Sequence, residues 1–311
     1  MSILILCLAI IVAVVILGQK TKTNIGLWAL VASYILGTFV LKIRPGDVIN
    51  MWPTDIFVLI FSVTLFYSFS VNNGSLEKLA QLAVYRVREI PWAIPIMLYF
   101  IGFLVSAVGA GSAANVMMIP IAITIAKVTG MNYFLAIIAV LAGINPGGLS
   151  PISTIGVLIR QLVQDFGDYS LEQANAFGNQ ALMHGTLVFL IVFVAAYFIL
   201  KGHKIKAADL EKPESFTKNQ KTSLSLIGAF IVVLIVPPVL NTLIPGNSVL
   251  SFMAANINIS FVAIIGSLIS ILLKVTDEKK AFASVPWGVL ILLGGMGMLI
   301  KIATESGAIE L

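Results

Sequence analysis

The chain has 311 residues, of which 59% are hydrophobic and 11% charged, with a formal net charge of +5. So few charges exclude a soluble domain of this size, and the basic residues sit in loops between apolar runs, which excludes a nucleic-acid surface and fits loops held on the cytoplasmic face. The single cysteine, Cys7, lies in an apolar run and provides neither a disulfide framework nor a metal cluster.

Read in chain order, apolar runs of membrane length fall at 2–17, 25–41, 55–71, 133–163, 179–200, 222–242, 257–274 and 287–303. The first lacks a charged n-region and a small-x-small cleavage site, so it reads as a transmembrane helix and not a signal peptide. Residues 75–90 place Leu76, Leu79, Leu82, Ala83 and Val87 at helical spacing, the pattern of an amphipathic interfacial helix.

Residues 92–128 hold two apolar arms on either side of Ser106, Gly109, Gly111, Ser112 and Asn115. The arms, 92–108 and 116–128, fall short of the about 20 residues a full crossing needs. A re-entrant hairpin puts 15 of the 19 Lys and Arg on one face, whereas a single crossing divides them 12 to 7. The positive-inside rule prefers the hairpin. It enters from the cytoplasm with its tip at 109–115. The N-terminus is then outside, with Asp165, Asp168 and Glu172; the loops 18–24, 72–91, 201–221 and 275–286 are cytoplasmic.

The run 133–163 is too long for one straight span, and Asn145-Pro146-Gly147-Gly148 followed by Ser150-Pro151 breaks it twice. Irregular backbone at membrane depth is tolerated only where it is buried in protein or lines a cavity. Half-helix ends present N–H groups to a carboxylate and C=O groups to a cation. On that logic Gly111, Ser112, Asn115, Asn145, Ser150 and Thr154 are candidate substrate contacts. Ser106, Gly109, Asn115, Gly143, Gly148 and Ser153 are candidate cation contacts, with Na⁺ a candidate coupling ion and no other cofactor. Neither cluster holds Lys, Arg, Asp or Glu, which favours cation-coupled symport over an arginine-based exchanger. Arg160 reads as interfacial, snorkelling to water. His184 reads as a packing histidine, and Met117 and Met118 as core. An intramembrane enzyme would need HExxH, paired aspartates or GxSxG in a span, and none is present.

A shift of 233 residues superimposes 25–41 on 258–274 and the run from Asp55 on that from Gly288, with Gly74 meeting Gly307 and Glu77 meeting Glu310. Five crossings separate the equivalent helices, so the second copy is inverted. The expected organisation is an all-α polytopic membrane protein with a first transport repeat over 1–200, a cytoplasmic linker at 201–221 and the start of a second, truncated repeat over 222–311. A lone half-site then calls for a homo-oligomer or a missing C-terminal half.

The tip ending in Met117-Met118-Ile119-Pro120-Ile121, the broken helix after it and the inverted repeat resemble the divalent anion:sodium symporters and the wider ion transporter superfamily. The resemblance is nearest to dicarboxylate carriers of the malonate-carrier (MatC) type, whose N-terminal domain is expected to cover nearly the whole chain. It implies a hairpin and an unwound helix that together hold Na⁺ and part of a dicarboxylate. Family members carry Ser-Asn-Thr at each tip. Aligned on Met-Met-x-Pro, this chain has Ala110, Gly111 and Ser112 there, with Asn115 three positions on. The resemblance implies secondary active transport of a malonate-like dicarboxylate with Na⁺ or H⁺ across the cell membrane. Citrate, arsenite, Na⁺/H⁺ exchange or a non-transporting scaffold are the alternatives.

Overall fold

A computed structural model describes residues 3–110, 113–167, 169–205, 212–244 and 246–306. Among the described residues the regular structure is helical, with no strand. In chain order the helices are α1 (Ile3–Thr21), α2 (Ile25–Tyr34, continued as a π-helical turn through Val40), α3 (Pro45–Asn50), α4 (Thr54–Asn72), α5 (Ser75–Arg86), α6 (Ile94–Val105, continued as a π-helical turn over Ser106–Ala110), α7 (Ala113–Thr129), α8 (Tyr133–Gly147), α9 (Thr154–Gly167), α10 (Leu171–Ile199), α11 (Lys218–Leu243), α12 (Ser248–Asn256), α13 (Ile259–Leu272), α14 (Glu278–Ala283) and α15 (Trp287–Glu305).

Among the described residues five runs are long and apolar enough to cross a membrane: α4, Pro91–Ala110, α10, α11 and α15. The first arm of the expected hairpin, with its π-helical turn, therefore reaches spanning length at 20 residues, while the second offers only the shorter apolar stretch Met117–Thr129. The expected span at 257–274 belongs to a bent pair, α12 and α13, which meet at 82°. Asn258 makes that bend: its Oδ1 accepts from Ser260 N at 2.8 Å and caps a new helix in the middle of apolar sequence.

Element boundaries recur along the chain. α3 and α14 begin and end 233 residues apart, and so do α4 and α15. The short helix and the long helix after it thus repeat the same spacing that aligns the sequence.

The chain packs as two compact units, one of Met1–Phe61, Asp165–Asp168 and Pro286–Leu311, the other of Ser62–Gln164 and Tyr169–Val285, so the division falls within α4. These units differ from the linear halves on either side of 201–221 because a repeat is a relation in sequence and a compact unit is a relation in packing. Within the first unit, Cys7, Val14, Ala29, Leu36, Val48, Met51, Met298, Leu299, Ile302 and Ala303 form the core. α2 and α15 cross backbone to backbone at Gly26 and Gly295, where a Cβ on either would strike the other helix. Asn24 fixes the start of α2, accepting from Gly26 N at 2.8 Å and donating to Gly288 O at 2.7 Å.

Within the second unit, α8 is the central helix, packed against α6, α7 and α10. α5 packs against α6, α7 and α11 through Leu76, Ala80 and Val84, leaving Leu79 exposed. Its buried stripe is therefore turned away from the one expected for an interfacial helix, because neighbouring helices cover it. A polar knot sits where α4 gives way to α5. Asn73 donates to Ser223 Oγ at 2.6 Å and accepts from Ser75 N at 3.0 Å, while Gln220 Nε2 donates to Asn73 O at 3.0 Å. Asn72 donates to Ser284 Oγ at 2.9 Å, and Lys78 donates to Ser215 O at 3.1 Å. Parts of three of the loops expected on the cytoplasmic face, 72–91, 201–221 and 275–286, are thus tied together. Residues 206–211, including Lys206, lie outside the described residues.

Candidate functional site: the tip and the break

The two small-residue clusters converge in the second unit. Ser150 Oγ donates to Ala107 O at 2.5 Å, joining the break after α8 to the π-helical turn after α6. Ser106 faces Gly148 closely enough that a Cβ on Gly148 would lie 3.3 Å from Ser106 Oγ. The approach follows from sequence: Gly143 and Gly147 lay bare one side of α8, and Tyr99 and Phe103 of α6 bring their backbones against it. Gly143, expected near a cation, therefore sits in the helix crossing.

The tip turns at Gly109, whose φ of 110° lies in the left-handed region that L side chains rarely adopt. The ring of Tyr67 fills the space a Cβ would need there. Tyr67 is buried and its hydroxyl has no hydrogen-bond partner among the described residues. Gly111 and Ser112, expected at the apex, lie outside the described residues.

The break occupies 148–153, as Ser150-Pro151 requires, but Pro146 does not start it. α8 continues through Gly147, because a proline in the last turn forfeits only one ladder bond. Ser153 then caps α9: its hydroxyl accepts from Gly156 N at 3.2 Å and donates to Gly148 O. Asn145 does not join the cluster. It is exposed, and its amide donates to Leu141 O one turn back at 2.7 Å.

Two buried oxygens in the helix starts that follow these segments have no hydrogen-bond partner among the described residues: Asn115 Oδ1, in the first turn of α7, and Thr154 Oγ1, at the start of α9. Leaving such atoms unmet costs about 1–3 kcal/mol each, and a cation or a donor from a ligand would satisfy them. The helix starts at Ala113 and Thr154 add N–H groups that suit an anion.

Arg160 departs from its expected snorkelling position. It is 6% exposed, and its Nη1 donates to Leu149 O at 3.2 Å and Gly156 O at 2.7 Å. Nη2 donates to Asn179 Oδ1 at 2.9 Å. The sequence signal that could have found this is the glycine at 178, in the helix facing α9, because a Cβ there would overlap the guanidinium. His184 lies on the exposed side of α10 and is not a packing histidine, whereas Met118 is fully buried.

A chain whose described regular structure is all helical, with several apolar spans, defines an all-α polytopic membrane protein. Residues 1–148 match the family model described as the dicarboxylate carrier protein MatC N-terminus. The resemblance drawn from the Met-Met-x-Pro run is borne out over that range, which is shorter than expected and ends at Gly148, where α8 gives way to the break. The family is one of carriers, a kind of function distinct from catalysis. No curated protein matches the chain.

Proposed function

We propose that the chain carries a small malonate-like dicarboxylate across the cell membrane, coupled to Na⁺ or H⁺, by alternating access. The observation that carries the reading is the junction of Ser150 with Ala107, because it joins two interrupted apolar segments in one polar site. The oxygens of Asn115 and Thr154, unpartnered among the described residues, support a cation there, with Ser106 and Gly109 in the turn after α6 and Gly148 and Ser153 in the break. The α7 and α9 starts take a carboxylate. The family match over residues 1–148 supports the dicarboxylate.

The shared 233-residue spacing of α3 with α14 and of α4 with α15 supports two inverted repeats, 1–200 and 222–311, joined by the linker 201–221. The short second arm over Met117–Thr129 supports a re-entrant hairpin at 92–128. The knot among the 72–91, 201–221 and 275–286 loops supports a common cytoplasmic face, with the N-terminus outside. In a homo-oligomer, a second copy would meet the site across an interface.

A thermal-shift screen of the purified chain over malonate, succinate, citrate and acetate tests the reading, each in NaCl and in KCl at two pH values. Stabilisation by malonate that depends on Na⁺ or on pH is expected. No stabilisation by any carboxylate in either salt would overturn the reading.

A further inference from the structure

Arg160 is, among the described residues, a buried charge without a buried counter-charge. Among the described residues no carboxylate lies within ion-pair distance of it; the ion pairs present there are Lys78 with Glu214 and Arg88 with Glu89. Its partners are two backbone carbonyls and one amide oxygen, all neutral. A guanidinium has five N–H donors. Three are used, and Nε, buried, has no partner among the described residues. The unused capacity lies on the Nε and Nη2 side, and a carboxylate binds such a fork through two parallel hydrogen bonds. Asn179, which holds Nη2, is itself exposed.

The same guanidinium grips the break. Leu149 O belongs to the unwound stretch and Gly156 O to the first turn of α9. Leu149 is one residue from Ser150, whose hydroxyl ties the break to Ala107. A positive charge in a membrane protein's interior is costly unless an anion compensates it. The short polar side chains of the tip provide no such charge.

The geometry points to Arg160 as the residue that binds a carboxylate of the transported anion, a contact between guanidinium and carboxylate added to the tip and the helix ends. This rests on the dicarboxylate reading above. It changes the charge balance of the site: one carboxylate is met by a fixed side-chain charge, which leaves the other for the co-transported cation.

The test has two arms on the full chain. In the first, malonate binding is measured for the parent, Arg160→Lys and Arg160→Gln, with helix content and unliganded melting temperature recorded alongside. A folded Arg160→Gln should bind malonate about tenfold or more weakly, the scale of losing a charge-assisted hydrogen bond, and Arg160→Lys less so. A folded Arg160→Gln that binds within about twofold of the parent overturns the inference. The second arm needs no variant: the parent is treated with phenylglyoxal and modification of Arg44, Arg86, Arg88 and Arg160 is mapped by peptide mass. Malonate should slow modification of Arg160 and leave the other three unchanged. Unaltered modification of Arg160 while malonate stabilises the parent overturns this inference alone. A parent that binds no dicarboxylate overturns the proposed function as well.

Discussion

The hydroxyl of Ser150 donates to the carbonyl of Ala107 at 2.5 Å, across 43 residues of sequence, and so joins the break after α8 to the turn that ends α6. Ser150→Ala removes the donor and leaves that carbonyl without it in a part-buried setting. The unfolding free energy should fall by about 1–3 kcal/mol. Thr222→Ala, which loses only an exposed bond to Lys218 O within its own helix, is the comparison. Equal melting temperatures for the two variants would show that the junction contributes nothing to the fold.

Asn115 and Thr154 should behave in the opposite way, since among the described residues their buried oxygens have no protein partner to lose. Thr154→Val exchanges an unmet hydroxyl for a methyl of the same shape. The unliganded protein should melt at or above the parental temperature, by up to about 1 kcal/mol of stability. Asn115→Ala and Thr154→Val should each weaken Na⁺-dependent malonate binding by about 1–3 kcal/mol. Loss of stability without ligand, together with unchanged binding, would assign both residues to packing.

Gly109 and Gly130 both have positive φ, 110° and 67°, but only Gly109 lies against a neighbour, the ring of Tyr67. Gly130→Ala meets open space and should cost about 1 kcal/mol for the left-handed backbone. Gly109→Ala adds a collision with a buried aromatic side chain and should cost at least twice as much, about 2–4 kcal/mol. Thermal unfolding of the two variants measures the difference, and equal losses would mean that the Tyr67 contact yields freely.

α10 has 29 residues and so extends about 43 Å at ~1.5 Å per residue, more than the ~30 Å hydrocarbon core. Glu172, at its start, and Glu214, in the loop after its end, should therefore lie on opposite sides of the membrane. Single cysteines at Lys78, Glu172 and Glu214 in a Cys7→Ala background, probed with an impermeant thiol reagent in sealed vesicles, provide the test. Lys78 and Glu214, 4.0 Å apart between side chains, should label together, and Glu172 from the other side. Labelling of all three from one side would overturn the proposed orientation.

The sequence marked the break at Ser150-Pro151 because proline and glycine act on the backbone locally, whatever surrounds them. The same reasoning placed Asn145 in the break, yet Pro146 falls in the last turn of α8, where a missing N–H costs little. Whether the break begins before or after Gly147 depends on α6 packing against Gly143 and Gly147, a contact between segments about 40 residues apart. The bend between α12 and α13 carried a legible signal, Asn258 before an apolar run, but it was hidden in a stretch hydrophobic enough to read as one span.

Composition alone determined that the chain is helical and membrane-embedded, because apolar runs of this length have no other way to satisfy their backbone. The positions of the polar clusters likewise follow from residue type. Tertiary structure decided which of those residues meet. Ser106, Ser150 and Ser153 face the junction, and Asn145 turns outward, because the α6 and α8 backbones approach only along the glycine side of α8. It also decided the place of Arg160. A lone arginine near a helix end reads as reaching for water, and its partners in the break, α9 and α10 hold it in the interior, since hydrogen bonds to Leu149 O, Gly156 O and Asn179 are invisible to hydropathy.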